Sequence, residues 1–351
     1  MSCKICGIRK KTLLFISICF FVSICFFVVI FLRLFDRNKK TDLKKIRLSE
    51  VTRSVFYCPQ YAAIELDFFK SEGLNVELST SSGSDQTMTT LISGQSDIAL
   101  LGGESLIYVY KEGKKNYAVA FAGLTKRDGS FIVGRDEDFY WKNLNGKKII
   151  SGRKSGLPQM SFKYVMDQNN IKAEVVDNIK FDAMGAAYLS GEGDYVALFE
   201  PTANELALQS NSKVLGSIGA QLHEIPYTVY CSSKDFFVSE SETLQKFTNA
   251  IYRAQIWVNE NSSEDIAKVV SPYFACSNLE TLTDSIEKYK EIDVWSTTPV
   301  IDEKNIDFLQ EVIINSEEIE EKMDLTDVFK NDYAAVSTKY IEGLDCRDIK
   351  K

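Results

Sequence analysis

MTTLISGQSD (residues 88–97) leads into IALL (98–101), and MGAAYLSGEGD (184–194) leads into YVALF (195–199). Each stretch reads as a helix end, a glycine that stops it, a short polar turn closing on aspartate, and an apolar strand. The first strand runs into Gly102-Gly103-Glu104-Ser105 and the second into Glu200-Pro201-Thr202. Helix–glycine–strand units occur throughout α/β proteins, so the echo alone indicates only that class. With small and polar residues dressing both strand ends, it predicts two α/β lobes that face each other across a ligand cleft.

Upstream, FYCPQY (56–61) precedes a helix with Tyr61, Ile64 and Phe68 on one face, ended by Gly73. Residues 74–78 alternate as a strand, and Asp85 is placed to N-cap the helix bearing Met88, Leu91 and Ile92. Residues 106–110 read as helical and 117–123 as a buried strand. The first crossing between lobes is expected in KRDGS (126–130), where Arg127 and Asp128 either pair or latch a closed form. Strands at 131–133, 147–150 and 173–176 and a helix carrying Phe162, Val165 and Met166 build the second lobe, with another helix from Asp182. EIPYT (224–228) returns the chain to the strand 229–231.

Beyond it, Leu244, Phe247, Ile251, Ala254 and Val258 recur at helical spacing. Further helices are expected over 278–290 and 303–314, packed outside the first lobe, with a peripheral tail after Val336. The division is therefore 46–126 with 229–351 for lobe one and 127–228 for lobe two.

Residues 12–32 carry no charged side chain. At 1.5 Å per residue they reach about 31 Å, roughly the hydrocarbon thickness of a bilayer. Lys4, Arg9, Lys10 and Lys11 precede the run, which favours a basic cytoplasmic end at 1–11, although Arg33, Arg37, Lys39 and Lys40 follow it. The expectation is an uncleaved transmembrane anchor joined by a linker (33–45) to an extracytoplasmic body. A cleaved or lipidated signal is the alternative.

Residues 1–45 hold ten Lys or Arg against two Asp, while the whole chain stands at −8, so the other 306 residues stand at −16. A body so acidic attracts nucleic acid poorly. Four of the eight cysteines (Cys3, Cys6, Cys19, Cys25) lie in or before the apolar run, and His223 is the sole histidine. Neither a metal set nor a His-based triad is legible, and no cofactor is expected.

The candidate ligand residues are Phe56, Tyr57, Pro59, Gly103, Glu104, Ser155, Gly156, Glu200, Thr202 and Tyr227. Ser155-Gly156-Leu157-Pro158 opens a helix, whose free N–H groups can receive an anion or a polar ring atom. Phe56, Tyr57 and Tyr227 beside strand ends suit a planar heterocycle, with core packing the other reading for Phe56. Glu104 and Glu200, at comparable strand ends, either accept N–H bonds from an amino-substituted ring or serve as helix caps. Paired carboxylates could serve an enzyme, but no nucleophile or metal set accompanies them, so binding is the reading drawn.

These stretches resemble the NMT1/THI5-like solute-binding proteins of ABC importers. The likeness is carried by FYCPQYAAI (56–64), FFKSEGLNVEL (68–78), LISGQSDIAL (91–100), RDGSF (127–131), GRKSGLPQM (152–160) and GDYVALFEPT (193–202). It extends over roughly residues 50–330. The resemblance implies a two-lobed periplasmic-binding-protein-like fold with two crossovers, a small solute captured outside the membrane, and a permease with its ATPase as partners.

Members take thiamine-precursor pyrimidines, riboflavin, alkanesulfonates, nitrate, bicarbonate or taurine, and the aromatic positions here fit an aminopyrimidine. By that likeness Phe56, Tyr57 and Pro59 line lobe one, Ser155, Gly156 and 200–202 lobe two, and Tyr227 the hinge side. Leu157 and Gln159 depart from the Met and Glu of pyrimidine-type members, which leaves the ligand open. Tyr57 and the lack of a CCCFC run depart from the fungal pyrimidine synthases. A heterocycle-processing enzyme and a sensory protein without transport are the competing readings.

Overall fold

The computed structural model describes residues 43–343. The predicted anchor at 12–32 lies outside the described residues, and among those described no helix is long and apolar enough to cross a membrane.

Among the described residues ten strands form two five-stranded sheets. In chain order they are β1 (Lys44–Glu50), β2 (Leu74–Thr80), β3 (Ile98–Gly102), β4 (Ala118–Thr125), β5 (Ser130–Gly134), β6 (Lys148–Ile150), β7 (Glu174–Val176), β8 (Tyr195–Phe199), β9 (Lys213–Ser217) and β10 (Thr228–Ser233). The first sheet has the order β2-β1-β3-β10-β4 and the second β7-β6-β8-β5-β9. In both, the strand that enters from the opposite lobe, β10 or β5, is antiparallel to its neighbours. The two sheets thus share one plan, joined by crossings at 126–129 and 218–227.

The echoed sequences occupy matching places in that plan. Gly94 and Gly191 take positive φ (71° and 86°), which glycine adopts without the cost a Cβ brings. Asp97 then staples β3 to β1, its Oδ2 accepting from the Arg47 amide at 2.8 Å. Asp194 does the same for β8 and β6, accepting from the Lys148 amide at 2.9 Å. Each aspartate amide also donates back, to Arg47 O at 2.9 Å and Lys148 O at 2.7 Å. An aspartate two bonds deep at each strand start fixes register on both sides of the molecule.

The open edge of β4 is not left to solvent. Its Ala120 amide donates to Val328 O and accepts, through its carbonyl, from Lys330 N, while Gly123 N reaches Pro299 O and Ser296 N reaches Leu124 O. Chain from the C-terminal third therefore closes an edge that would otherwise invite pairing with a second molecule, and every residue of β4 is buried.

Several sequence expectations change. The helix expected to run to Gly73 is two helices, Cys58–Glu65 and Phe68–Ser71, broken where Asp67 takes φ 58°. Asp85 is not an N-cap: the helix is Ser84–Ile92, its cap is Gly83, and Asp85 sits in the first turn. Arg127 and Asp128 do not pair; Arg127 donates to Leu222 O at 3.2 Å and to Glu224 at 3.4 Å, tying one crossing to the other. The C-terminal tail is not peripheral, because helix Asp332–Glu342 buries Ala334, Ser337 and Ile341. Nor do the C-terminal helices serve lobe one alone. Phe308 of helix Glu303–Asn315 meets Tyr164 of the second lobe edge-on, ring centroids 5.4 Å apart.

Candidate functional site

The C-terminal ends of β1, β2, β3, β6 and β8 all open on one cleft of about 1060 Å³, as parallel strands in open α/β sheets do. Lobe one contributes Val51 and Thr52 after β1, Ser81–Ser84 after β2 and Glu104 after β3. The second lobe contributes 152–158 after β6 and Phe199 at the end of β8, and the returning crossing adds Tyr227 and Thr228.

Five of the ten candidate residues border this space: Tyr57, Glu104, Ser155, Gly156 and Tyr227. Phe56 lies one layer behind. It is fully buried, stacks on Phe199 at 5.2 Å with rings 12° apart, and meets Tyr227 edge-on at 5.6 Å. It backs the cleft's aromatic wall. Pro59 opens the buried helix Cys58–Glu65, and Gly103 is packed so closely that a Cβ there would stand 2.7 Å from Pro226 O. Thr202 is an exposed first residue of helix Thr202–Ser210. None of these four borders the cleft.

Glu200 also stands away from it, because neither glutamate lies in extended chain. Glu104 is the second residue of helix Gly103–Lys111, whereas Glu200 lies in the turn between β8 and helix Thr202–Ser210. Glu200 accordingly faces helix Leu279–Glu291, accepting from the Asn204 amide at 3.0 Å and Ser285 Oγ at 3.3 Å, with Lys288 Nζ 3.6 Å away. Burial raises its pKa and Lys288 pulls it back.

Glu104 borders the cleft and, among the described residues, has no basic side chain paired with it. It is 2% exposed, and its Oε2, like Glu200 Oε1, has no hydrogen-bond partner. Burial pushes its carboxyl up to about 7, against the pull of its own amide, the Leu157 amide across the cleft, and Ser105. Tyr57 and Tyr227 are held protonated above the usual phenol range, chiefly by burial, with Glu104 adding to the effect. Tyr57 and Tyr227 thus remain O–H donors beside a carboxylate acceptor. Behind Tyr227, the buried Asp128 accepts from the Ser130 amide at 2.6 Å and is raised to about 6 by burial.

Tyr108 and Phe181 were not singled out from the sequence. Tyr108 Oη donates to Ser155 O at 3.1 Å, bringing the lobes into contact, and Ser155 Oγ donates to Glu318. Ser155 holds φ 64°, in the left-handed region, at this meeting point. Phe181 packs on Phe199 at 5.2 Å and extends the aromatic wall. The available signal was position: each lies a few residues from a predicted strand or helix end. Among the described residues no cluster of His, Cys, Asp and Glu is arranged to hold a metal.

A family model described as "NMT1/THI5 like" matches residues 56–264. YtlA of Bacillus subtilis (strain 168), provisionally described as a binding protein, is 39% identical over 283 residues, spanning 79% of this chain and 85% of that protein. Among solved structures, the nitrate-binding protein NrtA of Synechocystis PCC 6803 aligns with TM-score 0.69 at 14% identity, covering 88% of this chain and 91% of that one. The ligand-binding component of an ABC-type import system from Staphylococcus aureus aligns with TM-score 0.67 at 12% identity, covering 84% and 99%. At such identities the two structures speak to fold, which is the two-lobed periplasmic-binding-protein-like α/β fold.

Proposed function

Because this chain belongs to the NMT1/THI5-like family, we propose that it is the extracytoplasmic solute-binding component of an ABC importer. Its solute is a small heteroaromatic molecule of the thiamine-precursor pyrimidine kind, taken up and released chemically unchanged. Residues 12–32 tether it to the membrane, and its partners are a permease and its ATPase.

One observation carries the ligand reading: the unpartnered Oε2 of buried Glu104, set among Tyr57, Phe199 and Tyr227. An amino-substituted ring fits this surround, its N–H edge on the carboxylate and its faces against the aromatic side chains. Hydrogen bonds to a charged acceptor contribute about 1.5–3 kcal/mol each. Ser155, Gly156 and the phenols of Tyr57 and Tyr227 supply polar contacts to ring nitrogens and substituents. A cleft formed by two lobes favours closure around the guest.

The test is calorimetric titration of the detergent-solubilised full chain with an aminopyrimidine thiamine precursor, followed by mass analysis of the recovered ligand. Saturable binding with unaltered ligand mass is expected. Absence of heat, or a changed mass, would reject the reading.

A further inference from the structure

We propose that Glu104, in its ionised form, is the cleft's own anion, which makes the site reject oxyanions and select solutes presenting N–H donors. The inference rests on the reading of this cleft as the solute site and assigns its charge preference to one side chain.

Helices Gly103–Lys111 and Leu157–Gln168 both begin at the cleft, one from each lobe. Their first-turn amides and positive dipole ends would suit an oxyanion. Here the Glu104 carboxyl stands at that place, with Ser105 Oγ 3.4 Å from its Oε1. The Glu104 carboxyl is faced by its own amide and those of Ser105 and Leu157, so a residue of one lobe supplies the negative charge for helix starts of both. Among the described residues no basic side chain forms an ion pair with it. The basic side chains lining the cleft are Arg153, engaged by Asp85 at 3.0 Å, Lys114, engaged by Glu112 at 2.7 Å, and Lys154, and none of them is paired with Glu104.

An incoming nitrate or sulfonate would meet a buried carboxylate at close range, with like charges poorly screened. A neutral or cationic N–H donor meets the reverse: Oε2 lacks a partner and gains one on binding. The three phenols around Glu104, on Tyr57, Tyr108 and Tyr227, stay protonated and bring no competing charge. The fold does not dictate this preference, since the nitrate-binding protein NrtA shares it.

The experiment titrates the full chain, Glu104→Gln and Glu104→Ala at about pH 8.5, where the Glu104 carboxyl is ionised, with sodium nitrate, methanesulfonate and 4-amino-2-methylpyrimidine. The unaltered chain should take neither anion at millimolar concentration. Both variants should gain affinity for at least one anion by about tenfold or more, and Glu104→Ala should lose the pyrimidine by about tenfold or more, as expected for one charge-assisted bond. Circular dichroism establishes that each variant is folded, and the near-isosteric Glu104→Gln carries the anion test if the alanine variant is not. Equal anion binding by the unaltered chain and folded Glu104→Gln overturns the proposal. If the unaltered chain ignores the pyrimidine while the variants gain an anion, Glu104's charge role stands and the pyrimidine reading falls.

Discussion

Arg153 Nη1 of the second lobe stands 3.0 Å from Asp85 Oδ1 of the first, across the cleft. Both side chains are well exposed, at 45% and 63%, so the pair is solvent-screened and contributes little to global stability. Its effect is on the distance between lobes.

Arg153→Ala should leave the unfolding free energy within about 0.5 kcal/mol of the unaltered protein. It should also raise the ligand-free radius of gyration, as lobes lacking this contact spend more time apart. Small-angle scattering together with urea unfolding checks both parts. A large loss of stability with no change in dimensions would show that the pair does something else.

Tyr289 ties three parts of the chain together. Its hydroxyl donates to Gly129 O at 3.0 Å in the first crossing and accepts from the Glu200 amide at 2.9 Å after β8. Tyr289→Phe keeps the ring and strands both backbone groups in a dry interior. The expected cost is about 1–3 kcal/mol in denaturant unfolding, the penalty for unsatisfied buried groups. A variant as stable as the parent would mean that water or relaxation replaces both bonds.

Glu104 makes stability fall with rising pH in the ligand-free protein. Its folded pKa, about 7, is raised from an ordinary 4.5. The folded chain thus keeps a proton that the unfolded chain gives up between those values. The contribution is complete below the ordinary value and disappears as pH rises through about 7. Glu104→Gln does not titrate, so its stability relative to the parent should improve by roughly 2–3 kcal/mol between about pH 5 and pH 8. Unfolding curves across that range decide it, and parallel pH profiles would refute the assignment.

Gly219 packs against the first crossing so closely that a Cβ would lie 2.1 Å from Asp128 O, a backbone atom. Gly219→Ala must displace that segment, and the expected loss is about 1–3 kcal/mol or more. Asp128 and Ser130 lie in the same segment, so solute affinity should fall as well. Thermal melting and titration of the variant check both, and an unperturbed variant would show the crossing to be slack.

Much of the architecture was legible because it depends on local chemistry. Gly94 with Asp97 and Gly191 with Asp194 predicted repeated helix–turn–strand units, and each aspartate does staple its strand to the one beside it. The break at Asp67 was hidden because Tyr61 and Phe68 are buried on both sides of it, so the apolar period runs on through the gap. The docking of helix Asp332–Glu342 was hidden for another reason. It is secured by long-range bonds such as Gln245 Nε2 to Ser337 Oγ at 2.8 Å, which no local pattern announces.

At the site, sequence by itself determined the ingredients: aromatic and carboxylate residues beside strand ends, in two lobes of similar plan. It did so because strand alternation and glycine stops are short-range constraints written into neighbouring residues. Only the tertiary structure decided which of two similarly placed glutamates meets the solute. The helix begun at Gly103 presents Glu104 to the cleft, whereas the turn after β8 directs Glu200 toward Lys288 and Ser285. The partners that set these fates lie across the lobes or 85 residues away along the chain, where sequence spacing carries no directional information.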